Sequence, residues 1–342
     1  MIVVMQAGAP EQQVKDVLER IEALGFEAHP IYGAFKTVIG ITGDTARVDI
    51  GMLETLPGVA ECIRVGRPYK LVSREFKNEN TVVRIPIPSG EVTIGGEAIA
   101  MIAGPCAIET REQAFAIAEP LAKAGAHLFR AGAYKPRTSP YSFQGLAVPG
   151  LEIMTELREK FGMGIVTEAV DHETLDQVER YADVIQIGAR NMQNYSLLKR
   201  AGRAHKPVLL KRGLSATLDE LLMAAEYVAS EGNLQIILCE RGVRTFSDHS
   251  RNTLDLAVVP AVKSRSHLPI IVDPSHGTGQ RNKVLPLSRA AVAVGADGLM
   301  IEVHHEPDHA WSDGAQCILP SEFVMLREEV AQIARVLHRS IN

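Results

Sequence analysis

Eight apolar runs in this chain each end in a polar or reactive side chain, and the types of those side chains suggest chemistry before any fold is assigned. The first is Ile102-Ala-Gly-Pro-Cys106. The others are His127-Leu-Phe-Arg130, Gly164-Ile-Val-Thr-Glu168, Val184-Ile-Gln-Ile-Gly-Ala-Arg190, Pro207-Val-Leu-Leu-Lys211, Gln235-Ile-Ile-Leu-Cys-Glu-Arg241, Pro269-Ile-Ile-Val-Asp-Pro-Ser-His276 and Gly298-Leu-Met-Ile-Glu302. A lone buried cysteine after a strand is ordinarily inert packing. Its company here changes that reading.

Two chemical classes separate. Cys106, His276, Glu302 and, a short way on, Asp313 offer a thiolate, an imidazole and two carboxylates, a donor set that suits a divalent transition metal. Singly, each has an ordinary alternative: His276 could cap a turn, Glu302 could pair with an arginine, and Asp313 could cap a helix. No tight ligand spacing such as HExxH supports them. The second class is cationic: Arg130, Lys135, Arg137, Arg190, Lys211 and Arg241. Two like charges ~6 Å apart at an effective dielectric near 20 repel by about 3 kcal/mol. Gathering them therefore predicts an anion, a phosphate or carboxylate held by arginine forks.

The elements that must position these groups follow from spacing. Strand-like segments separated by roughly 20 to 40 residues and alternating with helical stretches, among them residues 111–124, 150–161 and 218–230, are the pattern of a (β/α)8 TIM barrel. Residues 100–342 suit one such barrel of about 250 residues. The strand ends would then crowd its catalytic rim. Ahead of it, residues 1–66 read as strand, helix, strand, strand, helix, strand. Val14, Val17, Leu18, Ile21 and Leu24 stand at helical spacing, and Pro30-Ile-Tyr-Gly reads as a turn. This βαββαβ order predicts a small ferredoxin-like domain, either a packing module or a sensor of a small molecule. Residues 67–99 read as a polar linker followed by a hairpin that would plug the N-terminal mouth of the barrel.

Composition sets the outer bounds. A chain of 342 residues with 46% hydrophobic and 23% charged residues is ordinary for a globular protein. A formal net charge of −5 argues against a general nucleic-acid binder or an anionic-membrane binder. The first residues lack a basic n-region and no apolar run is long enough to span a bilayer, which predicts a cytoplasmic protein. Four cysteines without CxxC spacing predict reduced thiols or a metal ligand rather than a disulfide framework.

At these residues the chain resembles the 3-deoxy-D-arabino-heptulosonate 7-phosphate (DAHP) synthases. The motifs are Gly104-Pro-Cys-Ala-Ile-Glu109, Lys135-Pro-Arg-Thr-Ser139, Gln186-Ile-Gly-Ala-Arg190, Lys211-Arg-Gly213, Cys239-Glu-Arg-Gly242, Asp273-Pro-Ser-His276 and Glu302-Val-His304. The N-terminal region and Leu71-Val-Ser-Arg-Glu-Phe76 resemble the subgroup with an ACT-like regulatory domain. The related octulosonate 8-phosphate synthases typically carry Ala-Asn-Arg-Ser where this chain has Lys135-Pro-Arg-Thr-Ser139.

The resemblance implies condensation of phosphoenolpyruvate with erythrose 4-phosphate, the first step of the shikimate pathway. It implies that Cys106, His276, Glu302 and Asp313 hold one divalent metal ion, Mn²⁺, Fe²⁺, Co²⁺ or Zn²⁺. Arg130, Lys135, Arg190, Lys211 and Arg241 would grip phosphoenolpyruvate, and Arg137 with Thr138 the aldose phosphate. Glu168 is the candidate for orienting the attacking water, with pairing to an arginine as its alternative. Lys135 or Lys211 is the candidate proton donor, and His304 a second-layer or proton-transfer group. Cys317, four residues past Asp313, is expected near enough to Cys106 for oxidation to join the two. Tyrosine or phenylalanine as effector and a homotetramer are what the family implies. The rivals are the octulosonate synthase and a non-catalytic metabolite sensor.

Overall fold

The computed structural model describes Met1 to Asn342 except Ala34, Phe35, Asp44, Ala46, Arg47, residues 64–67 and Thr138. The expected boundary between residues 66 and 67 and the candidate Thr138 thus lie outside the described residues. Two compact units are present. One comprises Met1–Glu79 with Ser264–His267, the other Asn80–Lys263 with Leu268–Asn342.

The first unit runs β1 (Ile2–Met5), α1 (Glu11–Ala23), β2 (Glu27–Tyr32), β3 (Thr37–Thr42), α2 (Ile50–Glu54) and β4 (Val59–Ile63). Its sheet has the order β2-β3-β1-β4, antiparallel throughout, which is the ferredoxin-like sandwich. Helix α1 buries Val14, Val17 and Ile21, spaced three and four apart so that they fall on one face. That face meets Met1, Val3, Met5, Ile39 and Ile41 of the sheet. Pro30, expected in a turn, instead sits within β2. This strand is at the sheet edge, where a missing N–H need not face a partner. Gly40 points to the opposite face from Ile39 and Ile41. A Cβ there would stand 2.6 Å from Phe76 and 2.9 Å from Leu71, so glycine lets these buried side chains close on the sheet. The stretch through Glu79, expected as linker, is therefore packed into this unit.

The second unit opens with the hairpin β5 (Val83–Ile87) and β6 (Gly90–Ile94). Eight parallel strands follow: β7 (Ala98–Gly104), β8 (Leu128–Arg130), β9 (Gly164–Ala169), β10 (Val184–Ile187), β11 (Val208–Lys211), β12 (Ile236–Glu240), β13 (Ile270–Val272) and β14 (Gly298–Glu302). β14 pairs with β7 and closes the barrel. The helices are α3 (Arg111–Lys123), α4 (Val148–Phe161), α5 (His172–Tyr181), α6 (Tyr195–Gly202), α7 (Leu218–Ser230), α8 (Val258–Arg265), α9 (Pro274–Thr278), α10 (Arg281–Ala293) and α11 (Pro320–Val336). A last strand, β15 (Ser340–Ile341), adds to β7. Several helix starts are written locally: Thr110 caps α3, and Asp171 and Thr217 form capping boxes on α5 and α7. Among the described residues no helix is long and apolar enough to cross a membrane.

The barrel core and the hairpin are one cluster. Val83, Ile85, Ile87, Val92 and Ile94 pack with the inward-facing Ile102, Leu128, Val166, Val184, Leu209, Ile237, Ile271 and Met300. The alternation Val83-Arg-Ile85-Pro-Ile87 gives the hairpin one apolar face, and that face seals the barrel bottom. Replacing the fully buried Ile85 with alanine is expected to destabilise this unit by about 2–5 kcal/mol. The denaturant midpoint checks it, and a change below about 0.5 kcal/mol would mean that the hairpin merely decorates the surface.

Candidate active site

Strand periodicity builds the floor of the site. Side chains along a strand alternate faces, so the inward position two residues beyond each core residue forms the next layer up the barrel. From Ile102, Leu128, Val166, Val184, Leu209, Cys239, Ile271 and Met300, that layer is Gly104, Arg130, Glu168, Gln186, Lys211, Arg241, Asp273 and Glu302. A single step along the strands thus turns an apolar core into a polar ring. Its three cations and three carboxylates are mostly matched. Arg130 donates to Glu302 at 2.8 Å and to Gln186 at 3.1 Å, and Lys211 is ion-paired with Asp273. Gln186 in turn donates to Glu168 at 2.8 Å. Gly104 completes the ring because a Cβ there would lie 2.3 Å from the Arg130 carbonyl. Gly188 serves Glu168 in the same way, since a Cβ would sit 2.0 Å from its carboxylate.

One corner above the ring collects the metal-type donors. Ligand atoms of Cys106, Glu302 and Asp313 all lie within 4.8 Å of one another. Cys106 Sγ donates to Asp313 Oδ2 at 3.1 Å, and His276 Nε2 stands 3.2 Å from Glu302 Oε1. The other imidazole nitrogen, Nδ1, faces Asp273 at 2.7 Å, which fixes the ring and turns Nε2 toward the cluster. Burial, reinforced by the Glu302 charge, pushes the Cys106 thiol up to about 12. Burial pushes His276 down, against the opposing charges of Asp273 and Glu302. Burial alone would raise the Asp273 carboxyl, but His276 and Lys211 hold it well below the ordinary range. A buried thiol and two carboxylates facing an imidazole nitrogen are a donor set that fits a divalent transition metal.

The site opens into a cavity of about 560 Å³, lined by eight cationic side chains and only two carboxylates, Glu168 and Asp313. Five of the expected cations are partly or wholly engaged. Besides Arg130 and Lys211, Lys135 Nζ donates to Cys106 Sγ and to its carbonyl, both at 2.9 Å. Arg137 donates to Ser312 and to the Phe143 carbonyl, and Arg241 makes a long 3.4 Å contact with the Gly242 carbonyl. Buried carboxylates from distant strands pair with Arg130 and Lys211. Arg190 has no side-chain partner among the described residues, and Arg241 is nearly as free. The unmatched charge thus lies on Arg241 of the ring and on Arg190 beyond it.

Two further arginines of the cavity wall were not anticipated. Arg244 and Arg251 line the cavity from the segment after β12, and Arg251 donates to Asp313 at 3.2 Å. Their sequence signal is faint, as neither follows an apolar run. Asp273 and Gln186 were likewise read only as parts of motifs, although the two-residue step from the core points to both. His304 does not line the cavity. It is 3% exposed, its Nδ1 accepts from the Glu306 amide at 3.0 Å, and its Nε2 lies 3.5 Å from Glu109. Burial and neighbouring His305 push its pKa down to about 4, so it is neutral. Cys317 is buried near the same corner, its Sγ 3.4 Å from the Asp313 carbonyl.

With this geometry in view, two family descriptions match the chain: the DAHP synthetase I family over residues 75–339 and the DAHP synthase ferredoxin-like domain over residues 1–67. The chain belongs to the DAHP synthetase I family. It is an enzyme of the DAHP synthase kind. A phospho-2-dehydro-3-deoxyheptonate aldolase from Thermotoga maritima is 49% identical over 342 residues, covering 100% of both chains. The crystal structure of a DAHP synthase from that organism superimposes with a TM-score of 0.79, covering 100% of this chain and 99% of that one. A 2-dehydro-3-deoxyphosphooctonate aldolase from Syntrophotalea carbinolica is 36% identical over 247 residues, 67% of this chain and 88% of its own. The Thermotoga enzyme therefore matches across both units, whereas the octulosonate relative matches a shorter span.

Proposed function

We propose that this DAHP synthase condenses phosphoenolpyruvate with erythrose 4-phosphate and water, releasing DAHP and inorganic phosphate, in a metal-dependent reaction. The observation that carries the proposal is a cavity lined by eight cationic side chains, with His276 and Asp313 in its wall and Cys106 and Glu302 clustered with Asp313 behind them. A divalent ion on those four residues would supply Lewis-acid polarisation of the aldehyde. Arg190, Arg241 and Lys211 would hold the phosphate and carboxylate of phosphoenolpyruvate as forks and a point charge. Lys135 would protonate the alkoxide as it forms, a role supported by its 2.9 Å bond toward the donor corner. Arg137 and Thr138 would take the aldose phosphate.

Glu168 is assigned to the water that adds at the phosphate-bearing carbon. Its carboxylate lines the cavity and is oriented by Gln186 rather than neutralised by an arginine bond. A Glu168→Gln variant is expected to lose about 10²–10⁴ in kcat, with KM little changed, since the loss falls on a transition-state interaction. Unchanged turnover would remove that role. The reaction itself is tested by phosphate release from phosphoenolpyruvate after EDTA treatment and Mn²⁺ addition. Release is expected with erythrose 4-phosphate, and preference for arabinose 5-phosphate would favour the octulosonate alternative.

The ferredoxin-like unit is proposed to bind tyrosine or phenylalanine as a feedback effector within a homotetramer. The match of this unit to the ferredoxin-like domain of DAHP synthases supports this.

A further inference from the structure

Two charged side chains of the barrel sit where apolar ones belong. On β11 and β12 the inward positions are Leu209, Ile237 and Cys239, continued by Lys211 and Arg241. The alternate positions, Arg212 and Glu240, therefore point outward, into the layer between strands and helices. Glu240 is fully buried and Arg212 only 7% exposed. A buried ion pair in such a layer is seldom more stabilising than an apolar pair of the same volume. What it offers instead is direction, because each bond fixes a partner in place.

Besides a 2.9 Å bond from Arg212 Nε to the Ala216 carbonyl, which anchors the guanidinium after β11, their bonds outside the pair reach the segment that follows β12. Arg212 donates at 2.9 Å to Glu240 Oε2 and at 2.9 Å to Asp255 Oδ2. Glu240 Oε1 accepts the Gly242 amide at 2.6 Å. Gly242 and Asp255 are the two feet of a small antiparallel excursion, within which Val243 and Thr253 exchange backbone hydrogen bonds of 2.9 Å in both directions. A further bond of 2.7 Å ties the Arg244 amide to the Leu214 carbonyl of the neighbouring segment. Arg244 and Arg251 are carried on this excursion, Arg241 stands immediately before its first foot, and all three line the cavity.

We propose that Arg212, Glu240 and Asp255 form a positioning clamp that sets these cavity-lining arginines for a phosphate-bearing substrate, phosphoenolpyruvate. The proposal rests on the reading of the cavity as a phosphate site. None of the three clamp residues lines the cavity; they act through the arginines. Losing one anchor lets the excursion drift, and displacements on the order of 1 Å are enough to weaken a bound anion's forks.

The test uses the full-length, Mn²⁺-loaded enzyme. Asp255 is chosen first because it is the most exposed of the three, so that Asp255→Asn keeps the buried pair and the fold. The expected result is a KM for phosphoenolpyruvate raised about tenfold or more, kcat within about threefold, and an unchanged melting midpoint, with Asp255→Glu restoring KM. Amide exchange over residues 243–253 is expected to quicken in Asp255→Asn without substrate. Unaltered exchange there, or a KM that moves only in step with the melting midpoint, overturns the clamp. An inactive wild-type enzyme would instead refute the phosphate-site reading, and amide exchange would still decide on the clamp by itself.

Discussion

Replacing Cys106 with alanine is expected to lower kcat/KM by about three orders of magnitude or more, close to the effect of exhaustive EDTA treatment of the wild type. The thiol is 1% exposed, yet its surroundings are not those of a packing cysteine. Ser312 Oγ lies at 3.0 Å, Asp313 Oδ2 at 3.1 Å and Lys135 Nζ at 2.9 Å. Burial and nearby Glu302 disfavour the thiolate in the metal-free protein, and a divalent cation reverses that preference by bonding sulfur directly. Removing the sulfur leaves His276 and two carboxylates, a set that retains some affinity for hard ions but loses the softest ligand. Metal content after gel filtration should fall below one Mn²⁺ per chain. An alanine variant that keeps stoichiometric metal and activity within about tenfold of wild type would show that Cys106 is not a ligand.

The barrel was legible because its strands are short apolar runs at regular spacing, and closure forces their ends onto one rim. The ferredoxin-like unit was legible from the helical spacing of Val14, Val17 and Ile21. What escaped the sequence were pairings across the barrel. Arg130 and Glu302 are 172 positions apart and Lys211 and Asp273 are 62 apart, so no local pattern announces that these charges neutralise each other. Arg244 and Arg251 escaped for a different reason. They lie on an irregular excursion, where side-chain direction depends on loop bonds rather than on a strand period. Pro30 misled because an edge strand tolerates a proline that a central strand would not, and edge position is a property of the folded sheet alone.

The second large effect is expected at a residue that touches neither cavity nor substrate. Asp273 is fully buried and engages His276 Nδ1 at 2.7 Å while pairing with Lys211. One carboxylate thus governs both a candidate metal ligand and a candidate phosphate-binding or proton-donating lysine. Asp273→Asn keeps the volume but removes the charge, leaving Lys211, 3% exposed, without its counterion. An uncompensated buried charge costs about 3–5 kcal/mol, so Lys211 would be displaced from its place in the ring. Loss of the carboxylate behind His276 is expected to weaken metal binding by about 10- to 100-fold. Together the two changes should lower kcat/KM by about 10³-fold at limiting Mn²⁺. Saturating Mn²⁺ should recover the share due to His276 and leave a residual defect in kcat due to Lys211. The division can be checked by titrating Mn²⁺ against turnover in Asp273→Asn, Lys211→Met and the double variant. If Lys211 acts through Asp273, the double variant should be no worse at saturating metal than Lys211→Met alone. Full recovery of Asp273→Asn by metal would confine Asp273 to orienting His276, and additive losses would separate Lys211 from it altogether.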